Sequence, residues 1–234
     1  MSRSHAQQWV IVEAIERPPA AVVTALAAFP TTQIADCGGP VGVVGPGLGR
    51  IAGGAEFCGP AVTVWTKPGD ILFMLKLPEV TRPGDVVAVD GGGREDAAVF
   101  GDILAGAVAR RGVVGIVVDG AVRDIEGIDE IGVPTFARNA HPATGSNEGP
   151  GALNVPVQVG GVAVHPGDVI RGDASGVVVV PREHLDTVIA LTRAVAQRET
   201  AWRQAIADGA SVAAATGADA VIDERRTATA VPLP

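Results

Sequence analysis

The chain has 234 residues, of which 47% are hydrophobic and 19% are charged, and its formal net charge is −8. This composition predicts a folded protein with a sizeable core, which excludes a disordered chain, and no apolar run is long enough to span a membrane. The acidic balance and the presence of only two lysines argue against nucleic acid as a partner, and the lack of a recognisable signal peptide predicts a cytoplasmic protein.

The first third of the chain predicts short helices followed by a glycine-rich loop. We expect one helix at Pro18–Phe29 and a second at Ile34–Cys37, for which Thr31 and Thr32 offer an N-cap. Residues Cys37–Pro60 are rich in glycine and proline and show no periodicity. They predict a loop that contains at most one short strand.

The middle of the chain alternates between strand and helix patterns. Apolar, β-branched runs predict strands at Ala61–Trp65, Val86–Asp90, Gly112–Val118 and Val133–Ala137. Helices are expected at Ile71–Leu77, where a strand is the alternative, and at Asp102–Arg111 and Ile125–Ile131.

The last third begins with short strands and turns and ends in helix. The strands are expected within Asn154–Val180 and a long helix at Arg182–Gln204, and the alanine-rich tail after Gly209 is expected to fray. No linker divides the chain. We therefore predict one α/β domain, residues 1–234, with a mixed sheet and a long C-terminal helix.

The most informative stretch reads FGDILAGAVARRGVVGIVVDGAVRD, residues 100–124. It places Gly101 and Asp102 at a helix N-terminus, where anions bind. The following strand is expected to end in an Asp119–Gly120 turn, with Arg123 and Asp124 just beyond it. In α/β folds the carboxyl ends of strands open onto ligand crevices, so this unit is the candidate site.

Six segments resemble a known family, the class II, metal-dependent pyruvate aldolases that cleave 4-hydroxy-4-methyl-2-oxoglutarate and 4-carboxy-4-hydroxy-2-oxoadipate. The chain also resembles their sister group, the RraA-like regulators of ribonuclease E activity. The segments are GPAVTV (59–64), PGDVVAVDGGG (83–93), FGDILA (100–105), GIVVDGAVRD (115–124), VPTFAR (133–138) and NVPVQVGGVAVHPGDVIRGDASGVVVVP (154–181).

The resemblance implies a swivelling β/β/α sandwich that forms homotrimers, often stacked into hexamers, with sites between subunits. Glu199 resembles a glutamate that some members insert into the neighbouring subunit's site, although an exposed helix residue is the favoured interpretation. The family's regulators tend to lack the aspartate after the arginine. The presence of Asp124 therefore favours an enzyme over a regulator.

The chemistry of the aldolase reaction also favours a metal at this site. Cleaving a carbon–carbon bond beside a 2-oxo acid leaves a pyruvate enolate, which is stabilised by a lysine Schiff base or by a divalent metal. Lys67 and Lys76 lie in short segments beside prolines and are poor Schiff-base candidates. Asp124 is therefore expected to hold Mg²⁺ or Mn²⁺ through oxygen ligands.

The other predicted site residues are expected to act on the substrate, a small 2-keto acid. Arg123 is expected to bind its carboxylate or the developing enolate oxygen. The N–H groups of Gly101, Asp102, Ile103 and Leu104 are expected to hold the pyruvyl carboxylate at the helix N-terminus. Asp102 is the candidate for proton transfer, alone or through a metal-bound water.

Each assignment has a structural alternative. Asp124 and Asp102 could simply cap helices, and Arg123 could form a surface ion pair. Glu95 and Asp96 are expected to be solvated, and the four histidines share no metal-ligand spacing; of these, His141 is the least settled because it follows the Arg–Asp unit.

Three functions stay open. The first is a pyruvate aldolase with an oxaloacetate decarboxylase side activity, which passes through the same enolate. The second is a non-enzymatic, protein-binding regulator of the RraA type, and the third is a related lyase or decarboxylase with another substrate.

Overall fold

The structure, a computed structural model, describes residues 9–228. Its helices are α1 (Ala20–Ala27), α2 (Thr31–Ala35), α3 (Leu72–Lys76), α4 (Asp102–Arg110), α5 (Ile125–Ile131), α6 (Leu185–Ala207), α7 (Val212–Thr216) and α8 (Ala218–Ala228). Its strands are β1 (Trp9–Ile11), β2 (Gly42–Val43), β3 (Gly49–Ala52), β4 (Phe57–Thr66), β5 (Val86–Phe100), β6 (Gly115–Val122), β7 (Thr135–Ala140), β8 (Gly151–Leu153), β9 (Val157–Val159), β10 (Val162–Val164), β11 (Val169–Asp173) and β12 (Gly176–Val180).

The described part of the chain forms a large mixed sheet, which confirms the predicted α/β class. The strands follow the order β2-β12-β11-β4-β5-β6-β7-β3, and β8 joins β1 to β4. The four central strands, β4 to β7, are parallel, whereas β3, β11 and β12 run antiparallel to their neighbours. Strands β9 and β10 form a separate antiparallel hairpin.

Strand β6 lies at the centre of the sheet, and all eight of its residues are buried. Ile116 and Val118 pack into an apolar cluster with residues of α3, α4 and α5, while Val117 packs on the opposite face with residues of the β9–β10 hairpin. A parallel strand covered on both faces needs a continuous apolar sequence, which explains the run that predicted this strand.

Strands β5 and β6 are longer than the sequence predicted. The expected turn at Asp119–Gly120 is wrong, because both residues lie inside β6. The Asp119 carboxylate accepts hydrogen bonds from Arg138 Nε and from the Gly160 N–H at 2.7 Å, so its burial is compensated. Strand β5 continues past Asp90 to Phe100, with shifts of register along β6 that the left-handed Gly92 and Gly93 accommodate.

Two further expectations near the N-terminus are corrected. The glycine-rich stretch contains two short strands, β2 and β3, and also the start of β4, because sheet pairing with β12 and β7 orders it. Thr31 and Thr32 lie inside α2 and do not cap it, since Pro30 holds the N-cap position. The Thr31 N–H and hydroxyl donate instead to Asp173, at 2.8 and 2.7 Å.

The C-terminal third confirms the long helix, with a single 3₁₀ turn at Arg182–His184 before α6. Helices α7 and α8 form in the tail that was expected to fray, and residues 229–234 of that tail lie outside the described range. None of the helices within residues 9–228 is long and apolar enough to cross a membrane.

Candidate functional site

Gly101 and Asp102 lie where β5 gives way to α4. Gly101 occupies the N-cap position in an extended conformation, and Asp102 is the first helical residue. Asp102 therefore does not hold the N-cap position; its carboxylate accepts a hydrogen bond from the Ile103 N–H at 2.6 Å. With Asp102 in the first turn and Arg110 in the last, the charges of α4 complement the helix dipole.

Arg123 and Asp124 follow the end of β6 and precede α5. The Arg123 N–H donates to the Phe100 carbonyl at 2.9 Å, which fixes the end of β6 beside the end of β5. Asp124 Oδ2 lies 3.2 Å from Arg123 Nε, and both side chains are about two-fifths exposed, so this ion pair contributes little to stability.

Asp124 adopts a left-handed backbone conformation, with φ 57° and ψ 47°. For a residue with a β-carbon this conformation costs about 1–2 kcal/mol, although aspartate tolerates it better than most. Asp124 stands at the N-cap position of α5, yet its side chain makes no capping hydrogen bond. The Asp124 carboxylate is therefore paired with Arg123 and does not cap the helix that it precedes.

Two glycines allow these side chains to approach one another. A β-carbon on Gly101 would lie 2.5 Å from Asp124 Oδ2, and one on Gly127 would lie 2.8 Å from the Asp102 β-carbon. Gly127 is a residue that the sequence analysis missed. Its signal was a glycine inside a short predicted helix, where glycine costs about 1 kcal/mol relative to alanine.

Gly101, Asp102, Arg123 and Asp124 line one cleft of about 120 Å³ that is open to solvent. It brings together the six site residues predicted around Gly101 and Arg123 with residues of α3, β5 and the loop after β7. The lining residues are Ile71, Leu75, Ala98, Val99, Phe100, Gly101, Asp102, Ile103, Leu104, Arg123, Asp124 and Thr144. Ile71, Leu75 and Thr144 were missed because they are 20–50 residues away in sequence and carry no motif.

A second recess opens on the other side of the Arg123–Asp124 pair. It is lined by Arg123, Asp124, Ile125, Glu126, Ala140, His141 and Pro142. The His141 imidazole accepts a hydrogen bond at Nδ1 from the Ala143 N–H at 3.2 Å. His141, for which no role was expected, thus lies beside the candidate site. Glu95 and Asp96 are exposed, as expected, and Asp96 pairs with Arg94.

Asp70 fixes the wall of the cleft that α3 forms. Its Oδ2 accepts from the Ser146 hydroxyl at 2.6 Å and from the Glu148 N–H at 2.9 Å, and its Oδ1 accepts from the Leu72 N–H at 2.9 Å. Burial by itself raises the pKa of Asp70, but these hydrogen bonds outweigh it and hold the pKa below its ordinary value. The loop after β7 and α3 are therefore tied together through a charged carboxylate.

Glu199 lies on α6 and does not line the cleft of its own chain. Its carboxylate accepts from Gln33 Nε2 at 2.9 Å and from Arg203 Nη2 at 2.6 Å. The hydrogen bond from Gln33, together with Arg203, holds the pKa of Glu199 below its ordinary value despite partial desolvation. Glu199 is thus ionised and engaged within its own subunit.

The donor set suits a hard cation that keeps several waters. Among residues 9–228, no three histidine, cysteine or acidic side chains are grouped so as to hold a metal. Asp124 supplies one carboxylate at the cleft, about two-fifths exposed and paired only with Arg123 among the contacts described above. Mg²⁺ is usually held in this way, through one or two carboxylates together with waters and substrate oxygens.

Comparison with known proteins gives one consistent family. The RraA-like family model, described as Aldolase/RraA, matches residues 11–179. A protein of Halalkalibacterium halodurans named "Putative 4-hydroxy-4-methyl-2-oxoglutarate aldolase" is 34% identical over 186 residues, which cover 80% of this chain and 89% of that protein.

Solved structures agree with this result. An uncharacterized protein from Pseudomonas syringae pv. tomato has a TM-score of 0.74 and 28% identity over 86% of this chain and 100% of that one. RraAS2 of Streptomyces coelicolor, described as an unusual member of the RNase ES inhibitor RraA protein family, has a TM-score of 0.71 and 30% identity over 80% of this chain and 98% of that one. The aldolase names thus belong to the sequence relatives, whereas the solved structures include inhibitor names.

Proposed function

Because the chain belongs to the RraA-like (Aldolase/RraA) family, we propose that it is a divalent-metal-dependent pyruvate aldolase acting on 4-hydroxy-2-oxo acids. The observation that carries the proposal is Asp124, a left-handed residue whose carboxylate makes no capping hydrogen bond and lies beside Arg123 near the N-terminus of α4. Backbone strain of this kind concentrates at active sites, ligand clamps and switch regions. The aldolase names among the relatives support the same class.

The reaction is a retro-aldol cleavage of the C3–C4 bond. The 4-hydroxyl group loses its proton and becomes a carbonyl, the bonding electrons pass to the pyruvyl half as an enolate, and C3 of that enolate then gains a proton. On 4-hydroxy-4-methyl-2-oxoglutarate or 4-carboxy-4-hydroxy-2-oxoadipate the products are pyruvate and a second keto acid. Oxaloacetate decarboxylation passes through the same enolate, and we include it as a side activity.

The residues of the cleft divide this work. Arg123 neutralises charge on the substrate carboxylate or on the enolate oxygen as it develops. The N–H groups of Gly101, Asp102 and Leu104 and the N-terminal dipole of α4 hold the pyruvyl carboxylate, while the Ile103 N–H is shared with Asp102. Asp102, already in this first turn, moves the proton between the 4-hydroxyl group and C3.

Asp124 is the residue that would hold Mg²⁺ or Mn²⁺. When bound there, the cation supplies Lewis-acid polarisation of the substrate's 2-oxo group. The proposal extends to assembly: a homotrimer or hexamer in the cytoplasm would place Glu199 of one subunit near the cleft of the next. To reach it, Glu199 must exchange its bonds to Gln33 and Arg203.

The test is pyruvate release, coupled to lactate dehydrogenase, from 4-hydroxy-4-methyl-2-oxoglutarate and from oxaloacetate, each with Mg²⁺, Mn²⁺ or EDTA. We expect metal-dependent release from both substrates and its loss, by about 100-fold or more, in Arg123→Ala and Asp124→Ala. Glu130→Ala, on the same short helix α5 but outside the cleft lining, is the matched control and keeps full activity.

Other outcomes separate the competing functions. Release from oxaloacetate alone moves the assignment to a decarboxylase. Full metal-stimulated activity in Asp124→Ala means that the site lies elsewhere. No release from either substrate favours the regulator class, for which the structural match to RraAS2 is the supporting observation.

A further inference from the structure

Resting on the proposed function, we infer that His141 selects substrates with a carboxylate on C4, by donating a hydrogen bond from Nε2 to that carboxylate. The acceptor half of the substrate then lies at the end of β7, while the pyruvyl half lies at the N-terminus of α4. His141 is thereby a specificity-determining residue for the proposed substrates, and it takes no part in forming the enolate.

His141 belongs to a row of residues at the carboxyl edge of the parallel strands. In the register of the sheet, the last residues of β5, β6 and β7 pair with one another in the order Phe100, Val122, Ala140. The residues that follow them are Gly101, Arg123 and His141. Because neighbouring strands are about 4.8 Å apart, His141 stands one strand from Arg123 and two strands from Gly101. A ligand bound across strand ends therefore reaches all three positions.

Backbone hydrogen bonds hold His141 in this row. The bond that joins the end of β6 to β5 is repeated one strand further, where the His141 N–H donates to the Val122 carbonyl at 2.8 Å. The Ala98 N–H donates to the Ala143 carbonyl at 2.7 Å, which ties the loop after β7 to β5. These bonds lie within one chain, so the position of His141 in the row does not depend on whether a neighbouring subunit covers the cleft.

The imidazole ring of His141 is oriented by its own loop. Its Nδ1 accepts a hydrogen bond from the Ala143 N–H at 3.2 Å. A ring nitrogen that accepts carries no proton, so the proton of the neutral ring lies on Nε2. Among residues 9–228, Nε2 has no hydrogen-bond partner, and it is the nitrogen that can donate to a ligand.

The two halves of the substrate suit the two spaces beside Arg123 and Asp124. The cleft at the N-terminus of α4, about 120 Å³, has the volume of about four water molecules, which suits the three-carbon pyruvyl half but not a whole six-carbon substrate. The second recess, about 300 Å³, is lined by His141. Arg123 and Asp124 border both spaces, so the C3–C4 bond lies beside this pair when each half occupies one space.

The charges of the second recess make the histidine important for binding an anion there. Asp124 and Glu126 line the recess and repel a carboxylate, whereas Arg123 and His141 line it and can donate N–H bonds. Arg123 also borders the cleft and serves the pyruvyl half there. Among the described side chains of the recess, the donor left for the C4 carboxylate is Nε2 of His141.

The experiment compares two substrates that differ only in one group on C4. 4-Hydroxy-4-methyl-2-oxoglutarate carries the carboxylate and releases two molecules of pyruvate, whereas 4-hydroxy-4-methyl-2-oxopentanoate has a methyl group there and releases pyruvate with acetone. With Mg²⁺ or Mn²⁺, the wild-type kcat/KM should favour the carboxylate by about tenfold or more. His141→Ala should lower kcat/KM for the carboxylate substrate about tenfold and leave that for the methyl substrate unchanged.

Two variants control for the loss of the side chain itself. His141→Gln keeps an N–H donor near the position of Nε2 and should retain most of the preference for the carboxylate. His184→Ala removes a histidine from the 3₁₀ turn before α6, outside the lining of both spaces, and should keep the wild-type ratio. An equal loss on both substrates in His141→Ala, or an unchanged ratio, overturns the inference.

A further measurement separates failure of the inference from failure of the proposed function. Exchange of the pyruvate methyl protons with D₂O, monitored by NMR with Mg²⁺ or Mn²⁺, requires only the pyruvyl half. Exchange should be the same in the wild type, His141→Ala and His141→Gln, and its loss in both variants would assign His141 to the pyruvyl half and overturn the inference. Wild-type exchange without a preference for the carboxylate overturns the inference alone. Absence of wild-type exchange removes the proposed function and the inference with it.

Discussion

At the scale of single residues, Asp124 adopts a backbone conformation that costs local energy, at the position where we propose that a cation is held. Its left-handed conformation is one that glycine adopts freely and a β-carbon resists. The carboxylate forms no capping bond in return, and its pair with Arg123 is too exposed to compensate. A residue under this kind of strain is expected at a functional position, where the energy is recovered when a ligand binds.

This strain can be measured by comparing two substitutions at one position. Asp124→Ala should unfold at a temperature lower than Asp124→Gly by about 2–4 °C, the equivalent of about 1 kcal/mol, because only alanine keeps the strained β-carbon. Both variants should lose metal-dependent pyruvate release. Thermal unfolding followed by circular dichroism provides the comparison.

Glu126, two residues further on in a regular helix, provides the control for this comparison. At this position Glu126→Gly should be less stable than Glu126→Ala, because glycine is the poorer helix former. If alanine proves the more stable residue at both positions, then residue 124 is not left-handed in solution and the geometry argued for its carboxylate is wrong.

Local sequence patterns predicted the residues at the centre of the candidate site but not those around it. Gly101, Asp102, Arg123 and Asp124 could be predicted because helix starts and strand ends are encoded by neighbouring residues. The wall formed by α3 and the loop after β7 could not, since a cleft joins segments that are distant in sequence. Distant contacts also explain why the predicted turn at Asp119 is wrong, since the Asp119 carboxylate accepts hydrogen bonds from Arg138 and Gly160.

At the scale of elements, the site depends on how closely α4 and α5 approach. Gly127 on α5 faces the β-carbon of Asp102 on α4, and a β-carbon at position 127 would lie 2.8 Å from it. The contact involves the base of the Asp102 side chain, which cannot swing aside as a flexible tip could. Gly106 on α4 is different, because a β-carbon there would meet only Ile131 Cδ1 at 3.6 Å, an ordinary contact distance.

The same substitution in these two neighbouring helices should therefore have opposite effects. Gly106→Ala should raise the free energy of unfolding by about 0.5–1 kcal/mol, through helix propensity, with activity unchanged. Gly127→Ala should gain no stability and should lower kcat/KM about tenfold or more, because Asp102 is displaced. Urea unfolding and pyruvate release measure the two quantities. Equal gains in stability with full activity in both variants would show that α4 and α5 do not pack as described.

At the scale of the whole molecule, the fold class was predictable from the alternation of apolar strand segments with helices. The apolar runs of β4 to β7, with helices between them, predicted an α/β domain with a mixed sheet, which the structure confirms. The parallel pairing of these four strands is a finding of the structure. The relation between subunits is different, since Glu199 is bonded to Gln33 and Arg203 within its own chain. Whether it serves the neighbouring cleft is a property of the assembly, which one chain does not encode locally.

Mixed oligomers test that property directly. Arg123→Ala and Glu199→Ala should each be inactive alone, yet their coexpression should restore about one quarter of wild-type activity if each site takes Arg123 from one subunit and Glu199 from the next. Arg123→Ala coexpressed with Asp102→Ala is the matched control. Both of these residues line the cleft of one chain, so every site in that mixture keeps one defect and stays inactive. If the first mixture restores no activity, Glu199 does not serve the neighbouring cleft and only contacts Gln33 and Arg203 in its own chain. The cleft of a single subunit would then hold the complete site.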